Sequence, residues 1–212
     1  MANQRSNSTL NSVWSGNVSY FVKLVLIFMP LTAAVGCTNQ TKSSAASQVR
    51  ALHTQGMTLM ESGRYTEAVA AFDEALLIAP NTPPPNTLLL KGLALRKLGQ
   101  QKEAISILDT IPADSGSAYT LGLYEKASLL AEMERHDESI PVFDTLLAIK
   151  PRHTKALHNK SWSLNELGRH EEALTVINMA LEYDPSYVRA LSKKGNILRN
   201  LGRYNEALAS YK

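Results

Sequence analysis

Between residues 49 and 212 the chain repeats one arrangement of apolar and polar positions. The segments EAVAAF (67–72), EAISIL (103–108), ESIPVF (138–143), EEALTVI (171–177) and EALASY (206–211) each place a small residue and then a larger apolar one behind an acidic start. A short polar turn precedes each of them: SGRY at 62–65, LGQQ at 98–101, MERH at 133–136, LGRH at 167–170 and LGRY at 201–204. The small residues Ala68, Ala104, Ser139, Ala173 and Ala207 fix the register, at spacings of 36, 35, 34 and 34. A period near 34 with one turn inside each period predicts stacked pairs of helices, because a single pair cannot bury its own apolar face.

Two further columns follow the same register. First helices carry a small residue at Gly56, Gly92, Ala127, Ser161 and Gly195, and second helices carry a large one at Phe72, Leu108, Phe143, Ile177 and Tyr211. Small against large lets two helix backbones approach closely. Gly63, Gly99, Gly168 and Gly202 fall where the first helix must end in a left-handed residue. No Lys-Ser or Lys-Thr pair follows them, so they are turn devices and not a phosphate cradle. Pro80, Pro151 and Pro185 close second helices. The second repeat departs from the pattern: prolines at 83–85 stiffen its entrance, and Pro112 stops its second helix early, leaving residues 112–117 as a surface loop. Pro141 is expected in the first turn of its helix, where proline is tolerated.

At these columns the chain resembles the tetratricopeptide repeat, over residues 49–212 in about five repeats: 49–82, 85–112, 120–153, 154–187 and an incomplete 188–212. The resemblance implies an all-α fold, a right-handed superhelical solenoid of helix-turn-helix repeats. It further implies that the first helices line a concave groove for a protein or peptide segment. The groove columns here hold Arg50, His53, Met57, Tyr124, Lys155, His158, Trp162, Arg189, Asn196 and Arg199. Aromatic and Arg side chains of this kind tend to dominate binding energy. The carboxylate clamp of some family members requires a Lys in a column that here holds His53, Leu89, Tyr124, His158 and Ser192. What remains is a general preference for acidic segments near repeats four and five.

The N-terminal 23 residues are polar and free of Asp and Glu, and they end at Lys23. The uncharged run LVLIFMPLTAAVG then occupies residues 24–36. Thirteen residues suit the apolar region of an export signal better than a membrane span, which needs about 20. The run leads into Cys37, the single cysteine, so an intrachain disulfide and a cysteine-rich zinc site are excluded. Ala34-Val35-Gly36-Cys37 resembles the lipobox of bacterial lipoproteins, although Ala34 stands where that family usually has Leu. The resemblance implies a signal peptide at 1–36, a lipidated Cys37 and an envelope protein facing the periplasm. Thr38, not Asp, follows the cysteine and favours the outer membrane where there are two. Residues 38–48 are small and polar, and are expected as a flexible tether.

Charge narrows the partners further. The formal net charge is +3, but from residue 38 onward 20 Lys and Arg face 19 Asp and Glu. That balance argues against nucleic acid as a main ligand. No nucleophile stands beside a plausible base, no pair of the five histidines has metal-ligand spacing with a third ligand, and the adjacent acids fall in first turns, where the helix dipole favours them. The expectation is therefore no enzyme, no cofactor, no metal and no small-molecule substrate: a protein-binding adaptor held to a membrane by lipid, with assembly of an envelope complex as one role it would suit. The alternative is the repeat-bearing front of a larger enzyme or machine.

Overall fold

The structure is a computed structural model and describes residues 32–211. Ten helices are described, with no strand among the described residues: α1 Thr32–Glu61, α2 Tyr65–Ile78, α3 Pro85–Lys97, α4 Gln101–Leu108, α5 Ser117–Glu132, α6 His136–Ile149, α7 Thr154–Glu166, α8 His170–Tyr183, α9 Val188–Asn200 and α10 Tyr204–Ser210. The chain divides into the units Met1–Ser47 and Gln48–Lys212. In the second unit odd-numbered helices are the first members of their pairs and even-numbered helices the second.

Helix boundaries follow local chemistry. Arg64, Arg135, Arg169 and Arg203 precede second helices and pair with the Glu three residues on, as in Arg135 Nε to Glu138 Oε1 at 2.6 Å and Arg203 Nη2 to Glu206 Oε2 at 2.7 Å. Each pair sets a carboxylate over unsatisfied N–H groups at a helix start. Repeat two has Gln100 at the arginine position. Its second helix α4 ends at Leu108 after eight residues, and residues 109–116 form a loop around Pro112, while Ser117, expected in that loop, is already the first residue of α5. Pro141 lies elsewhere than expected. Helix α6 begins at His136, so the proline is the sixth residue, in the second turn, where it removes an internal helix hydrogen bond.

In four of the five pairs the small residue of the first helix packs with the large residue 16 positions later. A Cβ on Gly56 would overlap the ring of Phe72, and one on Gly92 would lie 2.8 Å from Leu108 Cδ2. Ala127 and Phe143 share one buried cluster, both fully inaccessible. Seams between repeats join each second helix to the next first helix: α2 to α3, α4 to α5, α6 to α7, and α8 to α9. First helices also meet across repeats, α3 with α5, α5 with α7, and α7 with α9, whereas no two second helices do so among the described residues. The first-helix layer is therefore the more closely spaced side of the stack.

Residues 38–48, expected as a tether, are helical and belong to α1. No Gly or Pro lies between Cys37 and Gln55, so nothing in the sequence stops that helix. Residues 1–31 of the expected signal peptide, and the Cys37 side chain, lie outside what the structure describes. No helix among the described residues is long and apolar enough to cross a membrane.

Candidate functional site

Helical spacing gathers the expected groove residues into stripes. His158, Trp162 and Asn165 stand at i, i+4 and i+7 of α7, and Arg189, Lys193 and Asn196 repeat that spacing on α9. Tyr124 and Ser128 occupy the facing stripe of α5. Asn159 joins two of these helices, since its Nδ2 donates to Tyr124 Oη at 3.4 Å and to Ser128 Oγ at 3.2 Å. Its Oδ1 accepts from His158 Nδ1 at 3.0 Å. Asn165 Oδ1 accepts from Asn200 Nδ2 at 3.1 Å and from His170 Nδ1 at 3.0 Å.

Rings line the same face. Tyr124 stacks on His153 with centroids 5.2 Å apart, and His158 lies 5.7 Å from Tyr187. Both contacts link a first-helix ring to the residue just before a first helix, 29 positions later. His153 also caps α7, accepting from Ala156 N at 3.1 Å. Burial holds His153 and His158 below the ordinary imidazole range, and nearby cations push the same way: Lys150 and Lys155 at His153, Lys193 and Arg189 at His158. Burial likewise raises the Tyr187 phenol.

Trp162 is half-buried. Its Nε1 donates to Glu166 Oε1 at 3.0 Å, His136 meets it edge-on at 5.4 Å, and the Lys193 ammonium lies 5.7 Å from its ring centroid. Burial lowers the Lys193 pKa, with Glu166 opposing. Behind the tryptophan, Ser139 and Ser163 share a 2.8 Å hydrogen bond, and His136 Nδ1 lies 3.4 Å from Ser163 Oγ, all three buried. Both hydroxyls are inaccessible to a substrate.

The remaining expected residues separate. Arg50, Lys155, Arg189 and Arg199 are exposed, as is Met57 at 41%. His53 turns toward its own core, sharing a 2.8 Å hydrogen bond with Thr87 Oγ1 and lying 6.1 Å from the Phe72 ring. Asn196 Oδ1 accepts from Tyr211 Oη at 2.8 Å, so α9 and the end of α10 already engage it. The sequence reading omitted Asn159, Tyr187 and Lys193. Asn159 and Lys193 share one column, 34 residues apart, and that spacing was their available signal.

Two family models describe this architecture. Tetratricopeptide-repeat models match residues 49–82 and, in overlapping spans, 124–187 and 166–212, together more than half of the chain. The chain belongs to the tetratricopeptide-repeat family. Residues 83–123, which include the proline-rich entrance and the short α4, lie between the matched spans. The fold is similar to solved structures of MamA. One, MamA 41-end from Desulfovibrio magneticus RS-1, is 17% identical with a TM-score of 0.71, covering 77% of this chain and 91% of that one. A second MamA crystal structure is 18% identical with a TM-score of 0.71, covering 78% and 89%. At such identities the likeness concerns the fold. No curated protein matches the chain. Tetratricopeptide repeats and this scaffold support a protein-interaction role.

Proposed function

We propose that this chain is a non-catalytic adaptor whose first-helix face docks a segment of a partner protein, and whose Cys37 carries a lipid that holds it at a bacterial cell envelope. The observation that carries the docking reading is the set of exposed cations that α7 and α9 carry on the face of the half-buried Trp162. Lys155, Arg189 and Arg199 are exposed on that face while the apolar columns beneath are closed by their own helices. A half-buried indole with the partly buried Lys193 over its ring, on a face that also exposes two arginines, supplies the side-chain types that most often anchor an interface, and the excess of cations favours an acidic segment.

The anchor reading rests on the lipobox resemblance. One acyl chain holds a protein to a bilayer only marginally, whereas two or three hold it stably, so Cys37 would set the location, periplasm-facing and on the outer membrane where there are two. Confinement near a membrane raises the encounter rate with partners there, which suits assembly of an envelope complex.

Two experiments test these halves separately. Metabolic palmitate labelling of wild type and Cys37→Ala should show label, and membrane retention, in the wild type alone. Equal labelling would remove the anchor. For the face, capture of partners from envelope extracts should fail for Trp162→Ala/Arg199→Ala, and recovery of every wild-type partner by that variant would overturn the choice of site.

A further inference from the structure

Charges on the first-helix face are segregated along the stack. Over α3 and α5, Arg96 donates to Glu125 and to Glu132 together, so two carboxylates share one guanidinium, and the neighbouring exposed Lys97 pairs with neither. The Glu132 side chain stays 41% exposed and reachable. Over α7 and α9 the balance reverses, with Lys155, Arg189, Lys193 and Arg199 set against Glu166. None of these four cations has a carboxylate within ion-pairing distance among the described residues. Glu166 is engaged by Trp162 Nε1, and Lys193 rests over the tryptophan ring.

We propose that this face takes a partner segment of mixed charge in a single register, with a basic residue against Glu125 and Glu132 and an acidic cluster against Lys155, Arg189, Lys193 and Arg199. The inference rests on the adaptor reading and adds the partner's charge order. Packed helices stand 8–10 Å apart as a rule, so α5 is separated from the α7 and α9 cations by roughly 9 to 18 Å. An extended chain rises about 3.3 Å per residue, which sets the basic and acidic residues roughly three to six positions apart. A reversed segment would bring cation to cation and carboxylate to carboxylate, and that repulsion selects the register. Lys193 adds to the selection, because a half-buried ammonium has already lost part of its hydration and gains more from an arriving carboxylate than an exposed one does.

The test uses the full chain and two fluorescein-labelled peptides of identical composition, Lys-Lys-Ser-Ser-Gly-Glu-Glu-Glu and the mixed order Glu-Lys-Ser-Glu-Gly-Lys-Ser-Glu, followed by anisotropy at low salt. The block peptide should bind about five-fold tighter, the effect of roughly one partly exposed ion pair. That advantage should shrink in Arg189→Ala/Arg199→Ala and in Glu125→Gln/Glu132→Gln, and persist in Lys102→Ala, which removes a cation at the start of the second helix α4. If the Glu variant unfolds for want of Arg96 partners, the variant of the exposed Arg189 and Arg199 carries the comparison alone. Equal affinity for the two peptides, no binding of either, or an advantage unchanged in Arg189→Ala/Arg199→Ala would overturn the proposal. Envelope-partner capture that still depends on Trp162 and Arg199 while the peptides bind equally would remove the register and leave the adaptor reading standing.

Discussion

Lys160 Nζ lies 2.5 Å from Asp144 Oδ1, across the seam between the third and fourth repeats. The same bridge joins Lys91 to Asp73 at 2.6 Å and Lys126 to Asp109, so one ion pair recurs at three successive seams. At the fourth seam the corresponding positions hold Lys194 and Asn178, and the carboxylate is missing. Asn178→Asp should therefore stabilise the fold, by about 0.2–1 kcal/mol for a pair with one half-exposed partner, and Asp144→Asn should cost a similar amount. Urea midpoints measured at low and high salt check both, since the gain should fade as salt screens it.

Gly56 and Gly195 occupy one column but face different neighbours. Phe72, against Gly56, is fully buried, whereas Tyr211, against Gly195, is 50% exposed. An added methyl must displace whatever it meets, and only the tyrosine has open solvent to move into. Gly56→Ala should cost about 1–3 kcal/mol by overpacking. Gly195→Ala should cost clearly less, and thermal melts of the two variants should separate in that order.

The repeats were legible because their register is written in side-chain volume: a small residue and a large one 16 positions apart, punctuated by turn residues, determine which helix faces can meet. The site was legible only in outline. Phase along α7 puts Trp162 and His158 on one stripe, but the His136 and Lys193 side chains that cover Trp162 come from α6 and α9, and no pattern within α7 encodes them. The contacts of His53 and Asn196 are hidden from the sequence for the same reason: their hydrogen-bond partners, Thr87 and Tyr211, lie outside their own helices. The helix over residues 38–48 was missed because small polar composition was weighed as flexibility, although the absence of Gly and Pro was visible. Pro141 falls one turn later than expected because the helix already begins at His136, ahead of the acidic Asp137 and Glu138.

Glu134 takes the place that glycine holds in the other four turns. Its φ is +60°, beside +74° at Gly168. A residue with a Cβ loses roughly 1–2 kcal/mol in that region, while glycine gives back about 0.4–1 kcal/mol through the greater freedom of the unfolded chain. Glu134→Gly should thus stabilise by about 0.5–1 kcal/mol, and Gly168→Ala should destabilise. Chemical unfolding of both variants measures the difference, and an unaltered midpoint for Glu134→Gly would show that the strain in this turn is no larger than the entropy that glycine costs.

Acidification should weaken the fold through His158. Burial, aided by the charges of Lys193 and Arg189, holds its folded pKa below the ordinary imidazole value of about 6.5. Between the two pKa values the unfolded chain binds a proton that the folded chain does not, so stability rises with pH across that window. The contribution is complete above about pH 6.5 and is lost as pH falls from there through the folded pKa. His153, lowered in the same direction mainly by burial, adds to the slope. The urea midpoint should therefore drop from pH 7.5 to pH 5.5, and His158→Gln should flatten that drop even if it lowers stability at both pH values. Nuclear magnetic resonance titration of the His158 ring gives an independent check, because a folded pKa at or above the ordinary value would remove the cause.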